Sequence, residues 1–294
     1  MKKHAYLIMA HENRRQLEQL LSVLDHEKND IYLQVDSKGT LNTDNLATCE
    51  SSLFILPSLP VYWAGFSQIR AELRLLKAAS KHNYHYYHLI TNSDLPIVNQ
   101  CTIHNFLENS DLEYIDFSTD HSFAHFKAAY YHIFLENKLY LKSAIVRGLR
   151  HFIVKSQSTL GIDRSKKTNT VYYRGSAYFS ITHNLAEYIL MKERWITYLF
   201  HHTLACDEVF LQTLVMESPF KSKLSDSKGH KTMNLRYIDW GRRNNNSPYT
   251  FRMADYEELK KASKQAFFAR KFNIAVDQQI VDTIVDKIIN QGSL

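Results

Sequence analysis

The chain has 294 residues, 45% of them hydrophobic and 22% charged, an ordinary globular composition that excludes general disorder. Its 8 glycines and 5 prolines exclude collagen-like and low-complexity classes, and no glycines are spaced as in the Rossmann or P-loop phosphate cradles. The 36 Lys and Arg against 30 Asp and Glu leave a formal charge of +6, which bears on solubility and partners rather than on fold.

This length predicts one α/β domain with insertions, residues 1–294. Residues 5–10 form a continuous apolar run, as in a strand buried on both faces. Asn13 is placed to cap a helix whose apolar positions Leu17, Leu20, Leu21 and Leu24 keep helical spacing. Residues 31–35 read as the next strand, ending at Asp36, and residues 53–56 as a short third one. Ser67 opens a helix through Ala71, Leu75, Leu76 and Ala79, and residues 84–90 return as a strand. The alternation predicts a parallel sheet with right-handed crossovers, whose ligands gather at the carboxyl ends of the strands. Asp36 and the loop Thr91-Asn92-Ser93-Asp94 both fall there.

Residues 123–156 are helical in pattern and basic on one side, and residues 164–169 read as an exposed polar loop. Residues 172–181 alternate like a strand interrupted at Gly175. Helices are expected at 185–191 and 207–216, a strand at 235–240, turns over 241–248, and closing helices at 255–264 and 276–290. No internal repeat or composition shift divides the chain.

Between Lys138 and Arg174 there are nine basic residues and one acid, Asp163. A solvated face, an anionic ligand or an acidic lipid surface would each account for that stretch. Three widely spaced cysteines, Cys49, Cys101 and Cys206, argue against a disulfide framework or a Cys-rich zinc site and suit a reducing compartment. The apolar run before His11 is too short for a signal peptide, and no stretch approaches the ~18 apolar residues of a membrane span. A cytoplasmic protein is the expectation.

Several residues carry candidate chemistry. His82, His85 and His88 recur every third residue, but a strand turns such positions to alternate faces, which disfavours a shared metal. His121 and His125 have a legitimate zinc spacing if helical, without an HExxH context. No two aspartates are separated by one residue, so the Asp-x-Asp signature of metal-dependent nucleotide-sugar enzymes is missing. Asp207-Glu208 opens a helix, where adjacent acids are favoured by the macrodipole in any case. Arg270-Lys271 lies among Phe267, Phe268 and Phe272, so these cations are held at a partly buried surface and need a partner, either a ligand phosphate or an internal carboxylate. Trp240 ends the strand begun at Arg236, as core packing or as a platform for a sugar ring.

Taken in order, eight segments resemble glycosyltransferase family 14, the core-2/I-branching and xylosyltransferase group. They are His11 with Arg15, Tyr32 to Lys38, Val61-Tyr62-Trp63-Ala64-Gly65-Phe66-Ser67, and Leu89 to Pro96. The others are Arg174-Gly175-Ser176-Ala177-Tyr178-Phe179, Asp207-Glu208, Arg236 to Trp240, and Phe268-Ala269-Arg270-Lys271-Phe272, together spanning residues 4 to about 273. The resemblance implies an α/β fold of GT-A type, a Rossmann-like, mostly parallel sheet flanked by helices. Its nucleotide-sugar half would cover residues 1–120 and its acceptor and catalytic half residues 121–294. It further implies an inverting transfer from a UDP-sugar, UDP-GlcNAc and UDP-xylose being the family precedents, to a saccharide, with no divalent metal. By the same resemblance Glu208 is the catalytic base, Lys271 binds the donor diphosphate, Asp36 lies near the nucleoside, and Trp240 lines the acceptor site. Ser176 falls among the donor contacts, and Trp63, Asp94 and Asp207 among the acceptor contacts. The family's second diphosphate cation aligns near Pro248, where Arg252 or Arg270 would substitute. Without the membrane anchor and disulfides of the animal Golgi enzymes, the chain looks like a bacterial cytoplasmic member. A role in surface polysaccharide synthesis fits, with a lipid-linked acceptor and peripheral contact with anionic membrane through the basic stretch. The competing class is a non-catalytic binder of anionic glycan or nucleic acid, which needs neither Glu208 nor a nucleotide pocket.

Overall fold

The computed structural model describes residues 2–119, 122–140, 142–168, 170–225, 233–242, 247–292 and 294. Strand β1 (His4–Ala10) leads into helix α1 (Arg14–Leu24), strands β2 (Asn29–Asp36) and β3 (Ser52–Leu59), helix α2 (Ser67–Ala79) and strand β4 (Tyr86–Thr91). As the sequence predicts, β3, β2, β1 and β4 pair in parallel in that order. Asn13 precedes α1, but at φ 58° in the left-handed region, and its side chain does not cap; its carbonyl accepts from the Leu17 N–H at 3.0 Å.

The chain continues through β5 (Asp94–Pro96), α3 (Gln100–Leu107), β6 (Tyr114–Ile115), α4 (Ser122–Ala129), α5 (Ala144–Thr159) and the single turn α6 (Ser165–Thr168). It ends with β7 (Phe179–Thr182), α7 (His183–Met191), α8 (Glu193–Phe200), α9 (Phe210–Met216), β8 (Arg236–Ile238), α10 (Tyr256–Ala262), β9 (Phe268–Arg270) and α11 (Gln278–Gln291). Short α6 replaces the loop expected at 164–169, of which residue 169 lies outside the described residues, as do 243–246 of the turns expected at 241–248.

Of the strand expected at 172–181, only β7 forms a ladder, antiparallel to both β4 and β6. Gly175 shows why: a Cβ there would stand 1.8 Å from the Asp116 carbonyl oxygen, so the backbone runs against residues 116–118 instead of joining the sheet. Strands β5, β9 and β8 form a second, three-stranded sheet. The helix expected at 207–216 is split into a one-turn 3-10 helix, Cys206–Glu208, and α9.

Strand β1 is buried on both faces because successive side chains enter different cores. Tyr6, Ile8 and Ala10 pack with α1, α11 and β9. Ala5 and Leu7 pack with α2, α7 and α9. Among the described residues no helix is long and apolar enough to cross a membrane.

At the amino edge of the sheet the histidines gather, though not as metal ligands. His4 Nδ1 lies 3.2 Å from His88 Nε2, and the His4 ring is 4.0 Å from that of His104, which stacks in turn on His26 at 5.4 Å. His4, His85 and His104 line a cavity of about 380 Å³ with Lys2, Asn105 and Glu108. Among the described residues no three His, Cys, Asp or Glu side chains are placed to hold a metal ion. His121 lies outside the described residues, and His125 Nε2 meets Ser165 Oγ at 2.9 Å.

Burial pulls His4 and His88 well below the ordinary imidazole value and His104 down to about 4, with neighbouring rings adding to the shift. A depressed histidine contributes stability that is fully present above its unfolded value near ~6.5 and lost as pH falls toward the folded one. Urea unfolding should therefore show a loss on the order of 1–2 kcal/mol for each ring kept neutral between pH 7.5 and 5. His104→Gln should flatten that slope, and a slope identical to wild type would refute the assignment.

Candidate active site

The carboxyl ends of β1, β2 and β4 and the amino end of antiparallel β7 share one edge of the sheet. Strand β9 reaches the same edge, because Arg270 at its end pairs in register with Asp94 at the start of β5. Strand β8 runs parallel to β9 with Ile238 beside Arg270, so Trp240, two residues further on, also emerges there.

Glu208 ends the 3-10 turn before α9, and its placement is fixed from the backbone outward. Its own carbonyl accepts the Gly175 N–H at 3.0 Å, at the glycine whose Cβ would strike Asp116. The residue opening the turn, Ala205, has φ 45°, and its N–H donates to the carbonyl of Ala64, itself at φ 64°. Left-handed conformation costs an alanine roughly 1–2 kcal/mol, so two facing ones mark a backbone held against its preference. The Glu208 carboxylate is partly exposed; its Oε2 accepts from Lys127 Nζ at 2.5 Å and lies 3.4 Å from Arg174 Nε. Both cations stand 5.2 Å from the Phe123 ring centroid.

Behind Glu208 lie two buried acids. Asp207 accepts from Gln68 Nε2 through Oδ2 at 3.0 Å, while its Oδ1 has no partner. Burial, then the Glu208 charge, raises Asp207 to about 7. Glu72 of α2 is fully buried with both carboxyl oxygens unpartnered, and burial followed by the Asp207 charge pushes it well above the usual carboxylate range.

On the other side, Arg270 Nη1 donates to both carboxylate oxygens of Asp94 at 2.9 Å and to Thr91 Oγ1 at 3.1 Å. Thr91 adds its own N–H and hydroxyl to Asp94 Oδ2. The Arg270 guanidinium lies 4.1 Å from the Tyr178 ring centroid. Tyr178 joins the two clusters: its buried phenol feels Arg270 and Asp94 on one side and Asp207 and Glu72 on the other.

Of the two substitute cations, Arg270 has the internal carboxylate of Asp94 as its partner, through Nη1. Arg252 is exposed ahead of the turn Met253–Asp255, where its N–H donates to Asp255. Lys271 differs from both. Its ammonium contacts only the neutral Ser247 hydroxyl, at 2.7 Å, among its hydrogen bonds between described residues. Burial and then Arg270 lower its pKa, opposed by Glu12 beyond the end of β1.

Asp36 binds the N–H groups of Lys38 and Val61 and the Lys38 ammonium, clamping the end of β2 to the segment that carries Trp63. Ser176 is tied into the backbone, its carbonyl accepting from Gln212 and its hydroxyl from Tyr178 N–H. Trp63 and Trp240 are about half exposed, 50% and 48%, rather than packed in the core. Three looser Asp-x-Glu spacings do occur, from Asp25, Asp111 and Asp255, and each holds local structure. Asp25 gathers three loop N–H groups, Glu113 binds Thr182, and Asp255 pairs with Arg242.

Lys127 and Glu72 are not singled out by the sequence reading. Glu72 was detectable, since it continues the buried α2 stripe of Ile69, Leu76 and Ala79, where an acid is out of place. Lys127 gives no such signal, because its link to Glu208 spans 81 residues.

The family model described as Core-2/I-Branching enzyme matches residues 4–263. Xylosyltransferase 2 of Rattus norvegicus is 23% identical, covering 95% of this chain and 33% of its own length. Xylosyltransferase 2 of Homo sapiens is 22% identical with the same coverage, so the chain spans about a third of the curated relatives it matches.

The buried acids have a consequence for stability. A carboxyl raised on folding binds more protons folded than unfolded, so its contribution declines as pH rises above the unfolded value of ~4. Glu72→Gln should therefore gain on wild type by at least ~1 kcal/mol between pH 5 and 8 in urea unfolding. A difference constant across that range would rule out the pair.

Proposed function

The chain belongs to the Core-2/I-branching enzyme family, a family of glycosyltransferases, and from that membership we propose that it moves a sugar from a UDP-sugar to a saccharide hydroxyl by inverting displacement. The observation that carries the reading is Glu208: a partly exposed carboxylate on a strained turn, held through one oxygen by two cations, at the edge that also presents Lys271.

In this mechanism Glu208 takes the proton of the acceptor hydroxyl as the oxygen attacks the anomeric carbon, and the bond to the diphosphate breaks on the opposite face. Lys127 and Arg174 fix Oε2 and leave Oε1 to the acceptor. General-base assistance of this kind contributes ~10²–10⁴-fold. Negative charge grows on the leaving diphosphate, and the Lys271 ammonium, bonded only to Ser247 among the described residues, stabilises it more in the transition state than in the ground state. A metal-independent reaction follows from a lysine in that role together with the missing Asp-x-Asp signature. Trp63 and Trp240 offer aromatic faces to the sugar rings. The names of the relatives suggest xylose as one donor, with GlcNAc the other. Three free cysteines, two of them exposed, suit a reducing, cytoplasmic setting.

Release of UDP from a panel of sugar nucleotides identifies the donor. With it, Glu208→Gln should lose at least ~10²-fold in kcat while binding UDP as wild type does; unchanged turnover rejects the base. Lys271→Ala should weaken UDP in calorimetry, and equal affinity removes it from the diphosphate. Activity should survive EDTA, whereas complete loss restored by Mn²⁺ contradicts the lysine's role.

A further inference from the structure

The basic stretch singled out in the sequence has an unexpected surface. Helix α5 turns Arg150, Val154 and Gln157 inward, where Arg150 meets His132 at 3.0 Å and Gln157 accepts the Tyr131 N–H at 2.8 Å. Its other face carries Ile145, Leu149 and Phe152, which are 83%, 46% and 68% exposed. At about 100° per residue these three fall within an arc of roughly 60°. Leu139 before the helix and Leu160 at its end, 55% and 75% exposed, extend the stripe beyond the ~24 Å of the helix itself. Of 21 large apolar side chains exposed among the described residues, 11 lie between Phe123 and Val171. A concentration of this kind marks an interaction surface.

We propose that α5 and its flanks dock the protein on an anionic lipid membrane. Lys138, Lys142, Lys155 and Lys166 are all exposed around the stripe. The two acids of residues 136–171 are both occupied within the protein: Glu136 accepts the Ser67 N–H at 2.5 Å and Asp163 the Ser165 N–H at 2.9 Å. An apolar stripe bordered by lysines matches the interfacial zone of a bilayer, with side chains entering the acyl boundary and ammonium groups among anionic headgroups. A second copy fits less well, because two-fold pairing would set the same lysines against each other. Nucleic acid fits less well again, because aliphatic side chains offer phosphates nothing. The segment that bears this surface is tied by backbone to the helix that supplies Lys127. After α5 the chain returns to α4 through Arg164, whose N–H donates to the Ala129 carbonyl at 2.9 Å, and α4 supplies Lys127. The docking proposal does not rest on the transferase reading and is tested without turnover.

The full chain should co-sediment with phosphatidylcholine vesicles only when these contain an anionic phospholipid, and less so as salt rises. Ile145→Glu with Phe152→Glu, and separately Lys142→Glu with Lys155→Glu, should each weaken binding at least ~10-fold. These are exposed positions, and unchanged circular dichroism should accompany the loss. A Phe152→Trp variant gives a second readout, its emission shifting to the blue on anionic vesicles. Absence of binding at low salt, equal binding to neutral vesicles, or an unshifted tryptophan overturns the proposal. So does a dimer in sedimentation that the Ile145→Glu, Phe152→Glu pair dissociates, which would assign the face to a second copy.

Discussion

The edge of the sheet depends on the ion pair between Arg270 and Asp94. A buried charge is tolerable only when its counter-charge and hydrogen bonds are complete, and removing one partner of such a pair typically costs ~3–5 kcal/mol. Here completion is thorough. Asp94 receives the Arg270 guanidinium, the Thr91 N–H and the Thr91 hydroxyl, while Tyr178 covers the guanidinium face. The pair joins β9 to β5 just beyond the end of β4, and thereby sets where Lys271 begins. The next backbone bonds continue the clamp: the Phe272 N–H donates to Ser93, and Gln16 of α1 donates to both Asn92 and Phe272. A strand of three residues could not hold that position by ladder bonds alone.

The Glu208 turn is fixed by a different device, backbone strain and close approach. Two left-handed alanines and a glycine pressed against Asp116 leave the turn one way to run. Such costs persist only where surrounding structure overrides them, and they concentrate at functional sites. Gln68 shows how closely α2 is built into the turn, since its amide donates to Asp207 and accepts the Ala64 N–H.

The sequence made the scaffold legible where periodicity had length to act. The 5–10 run, the Leu17–Leu24 spacing and the 67–79 helix all appear, because each repeats its pattern over two turns or a full strand. Of the second sheet only β8 was anticipated, in the strand expected at 235–240; β5 and β9 have three residues each, too few to alternate. The direction of β7 escaped because nothing in four residues encodes antiparallel pairing, and the residues before it meet several partners, Thr213 at Tyr173, Ser118 at Arg174 and Glu208 at Gly175, rather than one strand. At the site, Arg270 was recognisable as a desolvated cation needing a partner, but composition could not choose between phosphate and carboxylate. The choice of Asp94 is a matter of register. Lys127 could not be read at all, since only folding brings α4 to the turn at 206–208.

Charge balance links these devices to the proposed chemistry. Around the contacts from Lys127 through Glu208 and Tyr178 to Lys271 lie five cations, Lys127, Arg174, Arg236, Arg270 and Lys271, and five acids, Glu208, Asp207, Glu72, Asp94 and Glu12. Were all five acids ionised, the edge would be neutral and a diphosphate would gain little by approaching. Burial holds Glu72 far above the ordinary carboxylate range and raises Asp207 as well, so both favour the neutral, protonated form. While those two keep their protons, cations exceed anions by two, one excess charge lying where Lys127 and Arg174 share Glu208 and the other among Arg236, Arg270 and Lys271. The unpartnered oxygens of Glu72, anomalous as a matter of stability, thus fit a site kept positive for the diphosphate of the proposed reaction.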